Sequence, residues 1–251
     1  MTTPMLVRVL RTESLKLKRT LALWMVVVAP ILVVVLQFCV GYFGGERISR
    51  GKDAWPGIVQ NSLALWTILM MPMFVTLETS LLAGLEHTDR NWKTLLALPA
   101  PRWTIYVSKL LVTVALLWIA HLILIAGTLT SGTILRAVQP ALHLNALPWE
   151  PVVNPLLRIS AAALLGLTIQ HWVSLRWQTF TTALGFGMCV MVISFIAANA
   201  VEWGRWFPWS MPLMIMRPGK ADVEMLLYAS IAGAFVCAAL GCWEFIRREI
   251  A

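Results

Sequence analysis

Apolar and polar positions occur in long blocks along this chain. Six mostly apolar runs of about 20 residues or more are separated by shorter polar stretches. A run of this length can cross a hydrocarbon layer of roughly 30 Å as an α-helix, which satisfies its own backbone hydrogen bonds. The pattern predicts an all-α membrane protein with six transmembrane helices in a single domain over residues 1–251. The predicted spans are residues 21–43, 58–85, 104–127, 156–175, 179–200 and 223–245.

The first polar block, residues 5–20, has apolar side chains on one helical face and basic side chains on the other. This pattern predicts a helix along the surface of an anionic leaflet. The alternative is a basic flank that only orients the first span. Glu13 falls on the apolar face, which is unusual for lipid contact alone. The first span is too long for the apolar core of a cleaved signal, so we expect it to stay in the mature protein.

A charged, amphipathic stretch at residues 86–109 separates the second predicted span from the third. Apolar side chains recur at helical spacing beside charged ones, which predicts a short helix along the membrane surface. Pro99 and Pro101 then end this helix, because proline cannot donate the next backbone hydrogen bond. The alternative is a solvated loop. The apolar positions are Trp92, Leu95, Leu96 and Leu98, the charged ones are Glu86, Asp89, Arg90 and Lys93, and Arg102, Trp103, Tyr106 and Lys109 follow as predicted interfacial anchors.

The other breaks are predicted to be turns and loops. Residues 44–57 and the proline-rich residues 128–155 are expected on the outer side, and residues 176–178 form a tight turn. Residues 201–222 are also expected outside, with tryptophans that mark an interfacial belt or, alternatively, the rim of a peptide-binding site. These tryptophans are Trp203, Trp206 and Trp209.

The composition supports a membrane protein and argues against a soluble nucleic-acid-binding protein. The chain has 251 residues, of which 59% are hydrophobic and 13% charged, and its mean hydropathy is +0.76. A net charge of +8 would suggest nucleic-acid binding in a soluble protein, but here the placement of charge matters more. With the amino terminus inside, 12 of the 20 Lys and Arg residues lie on the inner side. This bias predicts that both termini are cytoplasmic.

A few polar or small residues stand out within the spans. Glu78 lies in the second span, which also contains Pro72 and is expected to bend there. Glu78 is predicted either to pair with a basic group near the inner boundary or to line a transport path.

His121 is expected to be a hydrogen-bonded packing residue. In the sixth span small residues recur at i+4 spacing and would let another helix approach closely; they are Ala229, Gly233, Cys237 and Gly241.

The sequence has no motif for ATP hydrolysis and none for zinc binding. The Gly-Lys pairs at 51–52 and 219–220 lack the leading glycine and following hydroxyl of a phosphate-binding loop. We therefore expect no ATP hydrolysis by this chain, and no zinc signature predicts a metal site. The four cysteines lie in apolar spans and are interpreted as packing residues; they are Cys39, Cys189, Cys237 and Cys242.

The order of residue types around residues 86–109 is distinctive: Glu86, Asn91-Trp92-Lys93, Leu95-Leu96, Pro99, Arg102, Ile105 and Lys109. It resembles the loop between the second and third spans of type-2 ABC exporter permeases, the ABC-2 class. The likeness is greatest to the short permeases of lantibiotic immunity and bacitracin resistance transporters. A small residue often precedes the tryptophan in that family, and here it is Asn91. Before the first span, Glu13, Lys16 and Arg19 resemble the family's amino-terminal elbow.

The resemblance implies a non-catalytic permease subunit of an exporter in a bacterial cytoplasmic membrane. It implies two copies of a separate ATPase subunit, which bind the ATP and magnesium, and a second permease subunit, identical or similar. The cargo could be an antimicrobial peptide, or alternatively a lipid, a drug or an ion. The implied ATPase contacts are Glu86, Asp89, Arg90, Asn91, Trp92, Lys93, Pro99 and Arg102.

Two other functional classes remain as rivals. An intramembrane hydrolase would need a nucleophile and a base at matching depth, and the sequence shows no convincing Ser/His arrangement. A secondary transporter would be expected to have more buried charge and an internal repeat. Neither feature is seen in the sequence.

Overall fold

The protein is described by a computed structural model for residues 5–18, 20–49, 53–88, 101–139, 142–145, 149–177, 179–217 and 222–247. Across these residues the fold is α-helical and contains no β-strand. The helices are α1 (Met5–Lys16), α2 (Leu21–Ser49), α3 (Trp55–Leu65), α4 (Met71–Thr88), α5 (Arg102–Val138), α6 (Trp149–Arg176), α7 (Phe180–Asn199), α8 (Val201–Gly204), α9 (Met211–Ile215) and α10 (Val223–Arg247).

Six segments in the described part are long and apolar enough to cross a membrane, which confirms the six predicted spans. Each predicted span overlaps one observed segment. The third and fourth spans are longer than the sequence pattern indicated. The observed segments are Leu21–Gly44, Trp55–Glu86, Arg102–Val138, Trp149–Arg176, Phe180–Asn199 and Val223–Arg247.

The second span changes its helical geometry in the middle. Between α3 and α4 the chain forms a π-helical turn, Trp66–Met70, which ends two residues before Pro72. The backbone N–H of Met71 reaches back to the carbonyl of Trp66, five residues earlier. Proline lacks the N–H that an α-helix needs at position 72, and widening the preceding turn accommodates that loss without ending the span.

The core forms where neighbouring spans pack closely. α2 runs along α5, and α6 shares the most extensive helix contact with α10 among the described elements. Gly127 faces Val34, and Gly41 faces Leu135, so glycines on either helix admit a branched side chain from the other. Many large apolar residues of α2 and α7 remain exposed, as expected for surfaces that contact lipid or another subunit.

The prediction that residues 128–155 form an outer break is wrong for most of that stretch. α5 continues to Val138, and α6 already begins at Trp149. Pro151 lies in the first turn of α6, where the missing N–H has no helical partner to lose, and Pro155 lies inside the helix. The prolines were therefore misleading as signs of a loop.

Residues 201–217 are more compact than the predicted outer segment. They form α8, a series of turns and α9, and residues Met211–Met214 are buried against the bundle. Trp203 and Trp206 are 82% and 51% exposed, whereas Trp209 packs against Phe186 with ring centroids 5.9 Å apart. The three tryptophans therefore do not share one environment.

The interpretation of Cys39 and Cys189 as packing residues is wrong, since both are exposed on helix surfaces.

Candidate functional site

Four charged side chains meet at one end of the helix bundle. Glu13 and Lys16 lie three residues apart on α1, which places them on the same face of that helix. Glu86 lies near the end of α4, and Lys109 lies two turns into α5. We call these four residues the charge ring, and the end of the bundle where they lie the charged end.

The charge ring consists of four ion pairs in which each lysine contacts both glutamates. Lys16 Nζ lies 2.9 Å from Glu13 Oε1 and 2.6 Å from Glu86 Oε1. Lys109 Nζ lies 2.6 Å from Glu13 Oε2 and 3.1 Å from Glu86 Oε1. Positive and negative groups thus alternate around the ring, and their formal charges cancel.

Burial makes the pairing within the ring necessary. Glu13, Glu86 and Lys109 are almost completely buried, and only Lys16 keeps substantial contact with the surroundings. An isolated charge so deep in the protein would carry a large desolvation cost, which a partner and hydrogen bonds offset. Burial alone would lower the pKa of Lys16, but the hydrogen bonds to Glu86 and Glu13 and their negative charges raise it above its ordinary value of 10.5.

The charge ring joins α1 to the two helices that border residues 89–100. It brings together Glu13 and Lys16 of the predicted elbow and Glu86 of the predicted coupling stretch. The fourth member is Lys109, which was predicted as an interfacial anchor and ends the motif that resembles the family. The position of Glu13 on the apolar face of α1 is thereby explained. The remaining predicted positions, Arg19, Asp89, Arg90, Asn91, Trp92, Lys93 and Pro99, lie outside the described residues.

A second polar group at the charged end ties α5 and α6 to the end of α10. Arg102 Nη1 donates a hydrogen bond to the carbonyl of Ile246 (3.0 Å). Glu244 forms an ion pair with Arg176 and accepts a hydrogen bond from Trp172 Nε1 (2.8 Å). Glu244 and Trp172 were not predicted from the sequence, in which the signal is a lone acid in the last turn of an apolar span.

Glu78 is the other acidic side chain of interest, two turns deeper than Glu86 along α4. It is completely buried, and neither carboxyl oxygen has a hydrogen-bond partner in the described part of the chain. No basic side chain described here pairs with it. The basic partner that the structural hypothesis requires is therefore not found among the described residues.

His121 forms the hydrogen bond expected of a packing histidine. Its Nδ1 lies 2.8 Å from Ser160 Oγ, and the Ser160 hydroxyl also lies 2.7 Å from the carbonyl of Leu156. These residues are 39 positions apart on different spans, so sequence spacing could not reveal the pair. No carboxylate within the described residues orients His121, and no described group of three or more potential metal ligands surrounds it.

The small residues of the sixth span lie at close helix contacts within the chain. A Cβ added at Gly241 would overlap the hydroxyl of Tyr106, and one at Gly233 would press on Leu165. Ala229 and Cys237 are partly exposed on the same helix. α10 thus approaches α5 and α6 where glycine leaves room.

The six apolar helices define a multi-pass membrane protein. In a comparison with protein families, residues 9–194 match the ABC-2 family transporter protein. This match covers more than half of the chain, which therefore belongs to the ABC-2 family and is a permease subunit of an ABC transporter. No curated protein matches the chain.

Proposed function

We propose that this chain is the membrane-spanning permease of an ATP-driven exporter and that the charge ring links its spans to a separate ATPase subunit. Family membership supports the transporter class. The charge ring is the observation that carries the coupling role. It fixes α1 to the two helices that border residues 89–100, which resemble a coupling helix.

The ring suits a mechanical role because it resists separation of the helices it joins. Pulling α4 away from α5 would part Glu86 from Lys109, and moving α1 would remove Glu13 from Lys109. Either movement would leave a buried charge with fewer partners, at a cost of several kcal/mol. A displacement of residues 89–100 by the ATPase would therefore move α1, α4 and α5 together.

The assembled exporter would contain two permease subunits, identical or similar, and two ATPase subunits. ATP and magnesium would bind on the ATPase, and this chain would form the transport path. In a bacterial cytoplasmic membrane, both termini and the charged end would face the cytoplasm. The resemblance to lantibiotic and bacitracin transporters supports an antimicrobial peptide as cargo, with a lipid, a drug or an ion as the alternative.

Replacement of Trp92 by alanine tests the docking of the coupling stretch. If Trp92 anchors the ATPase, its loss should weaken association by about 30-fold or more, because a buried interface tryptophan can contribute on the order of 2 kcal/mol or more. The permease should still insert and dimerise. The measurement is the amount of ATPase that co-purifies, together with cargo-stimulated ATP turnover.

Trp203→Ala is the matched control, since it removes another tryptophan that is 82% exposed on a different part of the chain. It should leave the ATPase bound. If Trp92 only contacts lipid headgroups, Trp92→Ala will instead retain the ATPase and near-normal turnover. An undiminished complex would exclude the docking hypothesis.

A further inference from the structure

A cavity of about 510 Å³ lies at the end of the bundle opposite the charge ring. The beginnings of α3 and α6 form its two main walls, and the end of α9 closes one side. Several lining side chains are exposed and mark its opening, whereas Trp55, Val59 and Ile159 are buried in its walls. Asp53 and Gln60 are the polar side chains of the described lining.

Among the described residues that line the cavity, all but Asp53 and Gln60 are apolar, and Asp53 is the charged one. Asp53 Oδ1 accepts hydrogen bonds from the backbone nitrogens of Trp55 (3.2 Å) and Asn145 (3.4 Å). Its Oδ2 makes no hydrogen bond to any described residue. These two hydrogen bonds hold the Asp53 carboxylate at the opening of the cavity.

The cavity walls are held in place before any ligand arrives. Trp55 lies against Gly132 of α5 and donates a hydrogen bond from Nε1 to the carbonyl of Asn145 (3.4 Å). The backbone N–H of Ala54 donates to the carbonyl of His143 (3.0 Å). Three prolines further restrict the lining backbone. Such preorganisation reduces the entropy lost on binding.

Size and charge together indicate the class of ligand. Pockets for small organic molecules usually measure about 300–1,000 Å³ and combine apolar walls with few polar groups. A carboxylate at the opening attracts a cation, and the apolar walls favour a ligand with an apolar body. The described part of the lining offers no Lys or Arg to a phospholipid phosphate.

We propose that this cavity binds small amphipathic organic cations, with Asp53 as their counter-charge. The inference deepens the proposed function, because such cations would be cargo of the exporter. Only the role of these cations as cargo rests on the proposed function. Binding itself requires only the cavity, so it can be measured on the purified full-length chain without an ATPase.

Two ions of nearly equal size and opposite charge provide the test. Tetraphenylphosphonium is an apolar cation, and tetraphenylborate is the corresponding anion. We expect saturable binding of the cation to the purified protein in detergent, with the anion bound at least about fivefold more weakly. Equilibrium dialysis with each ion measures both affinities.

Three variants assign the binding to the cavity. Asp53→Asn should weaken cation binding by about fivefold or more and remove most of the preference over the anion. Asp222→Asn is the matched control, because Asp222 is also exposed and accepts hydrogen bonds at the start of α10, away from the cavity. It should bind like the wild type. Gln60→Trp places a large ring at the exposed edge of the cavity and should reduce binding of both ions.

Equal affinity for the two ions, or an Asp53→Asn variant that binds the cation as the wild type does, would overturn the proposal. So would phospholipid that co-purifies with the wild type but not with Gln60→Trp and that neither ion displaces. Saturable binding of a cationic lantibiotic without any binding of tetraphenylphosphonium would overturn it in favour of a peptide site. Failure of the coupling proposal would appear instead as an ATPase complex that is insensitive to Trp92→Ala.

Discussion

Lys109 shows how the fold tolerates a charge inside a membrane-spanning helix. Its side chain is 1% exposed and is held between two carboxylates from different helices. Removing one member of a buried ion pair generally costs more than the pair gained, because the other member is left buried without its partner. In the charge ring two glutamates would be affected at once, although Lys16 would still contact both.

Lys109→Met should therefore destabilise the protein by about 3–5 kcal/mol, visible as a lower melting temperature of the purified chain. Lys18→Met, at an exposed position on the same side of the bundle, should have little effect. Adding Glu13→Gln to Lys109→Met should recover part of the loss, since it leaves the neutral pair of Lys16 and Glu86. Equal melting temperatures for the two single variants would contradict the proposed importance of the ring.

At the level of the helix, the beginning of the second span is fixed by one aromatic residue. Trp55 is 2% exposed, and its ring occupies the space that a side chain at position 132 of α5 would need. The same ring forms part of the cavity wall. The contact between α3 and α5 therefore shapes the cavity as well as the core.

Gly132→Ala should lower stability by about 1–3 kcal/mol, because the new Cβ would force the indole of Trp55 to move. Gly185→Ala is a suitable control, since nothing lies within 4 Å of a Cβ added there. That change should be neutral or slightly stabilising, because alanine favours a helix more than glycine does. A thermal unfolding series that ranks the two variants equally would refute this packing account.

The sequence predicted helices well where length and hydrophobicity determine them, and poorly where tertiary contacts do. All six spans were found, because about 20 apolar residues have few other ways to be buried. The extension of α5 to Val138 was missed because it depends on contacts with other helices. Gly132 packs against Trp55 of α3, and Leu135 packs against Gly41 of α2. The charge ring was missed as a unit because Glu13 and Lys109 are 96 positions apart. The resemblance placed all four ring residues in functional segments but could not pair them.

At the scale of the whole molecule, the two ends of the bundle are chemically different. One end has paired charges from α1, α4, α5, α6 and α10, and the other has a cavity whose described lining is apolar apart from Asp53 and Gln60. The proposed function assigns ATPase coupling to the charged end and cargo binding to the end with the cavity.

Single cysteines at Arg90 and Lys220, in a background without the four native cysteines, test the orientation. Arg90→Cys should react with a membrane-impermeant maleimide only after the cells are opened, and Lys220→Cys should react in intact cells. The reason is that the chain crosses the membrane an odd number of times between these positions. Labelling of Arg90→Cys from outside intact cells would reverse the assignment of the two ends.

The charge ring also imposes an order on biosynthesis. Glu13 and Lys16 leave the ribosome first, but Glu86 and Lys109 follow only after 70 and 96 further residues, counted from Lys16 and Glu13 respectively. Until Lys109 is synthesised, the ring partner of Glu13 is Lys16 on the same helix. The contact that joins α1 to α5 through Glu13 can therefore form only after the start of the third span has been made.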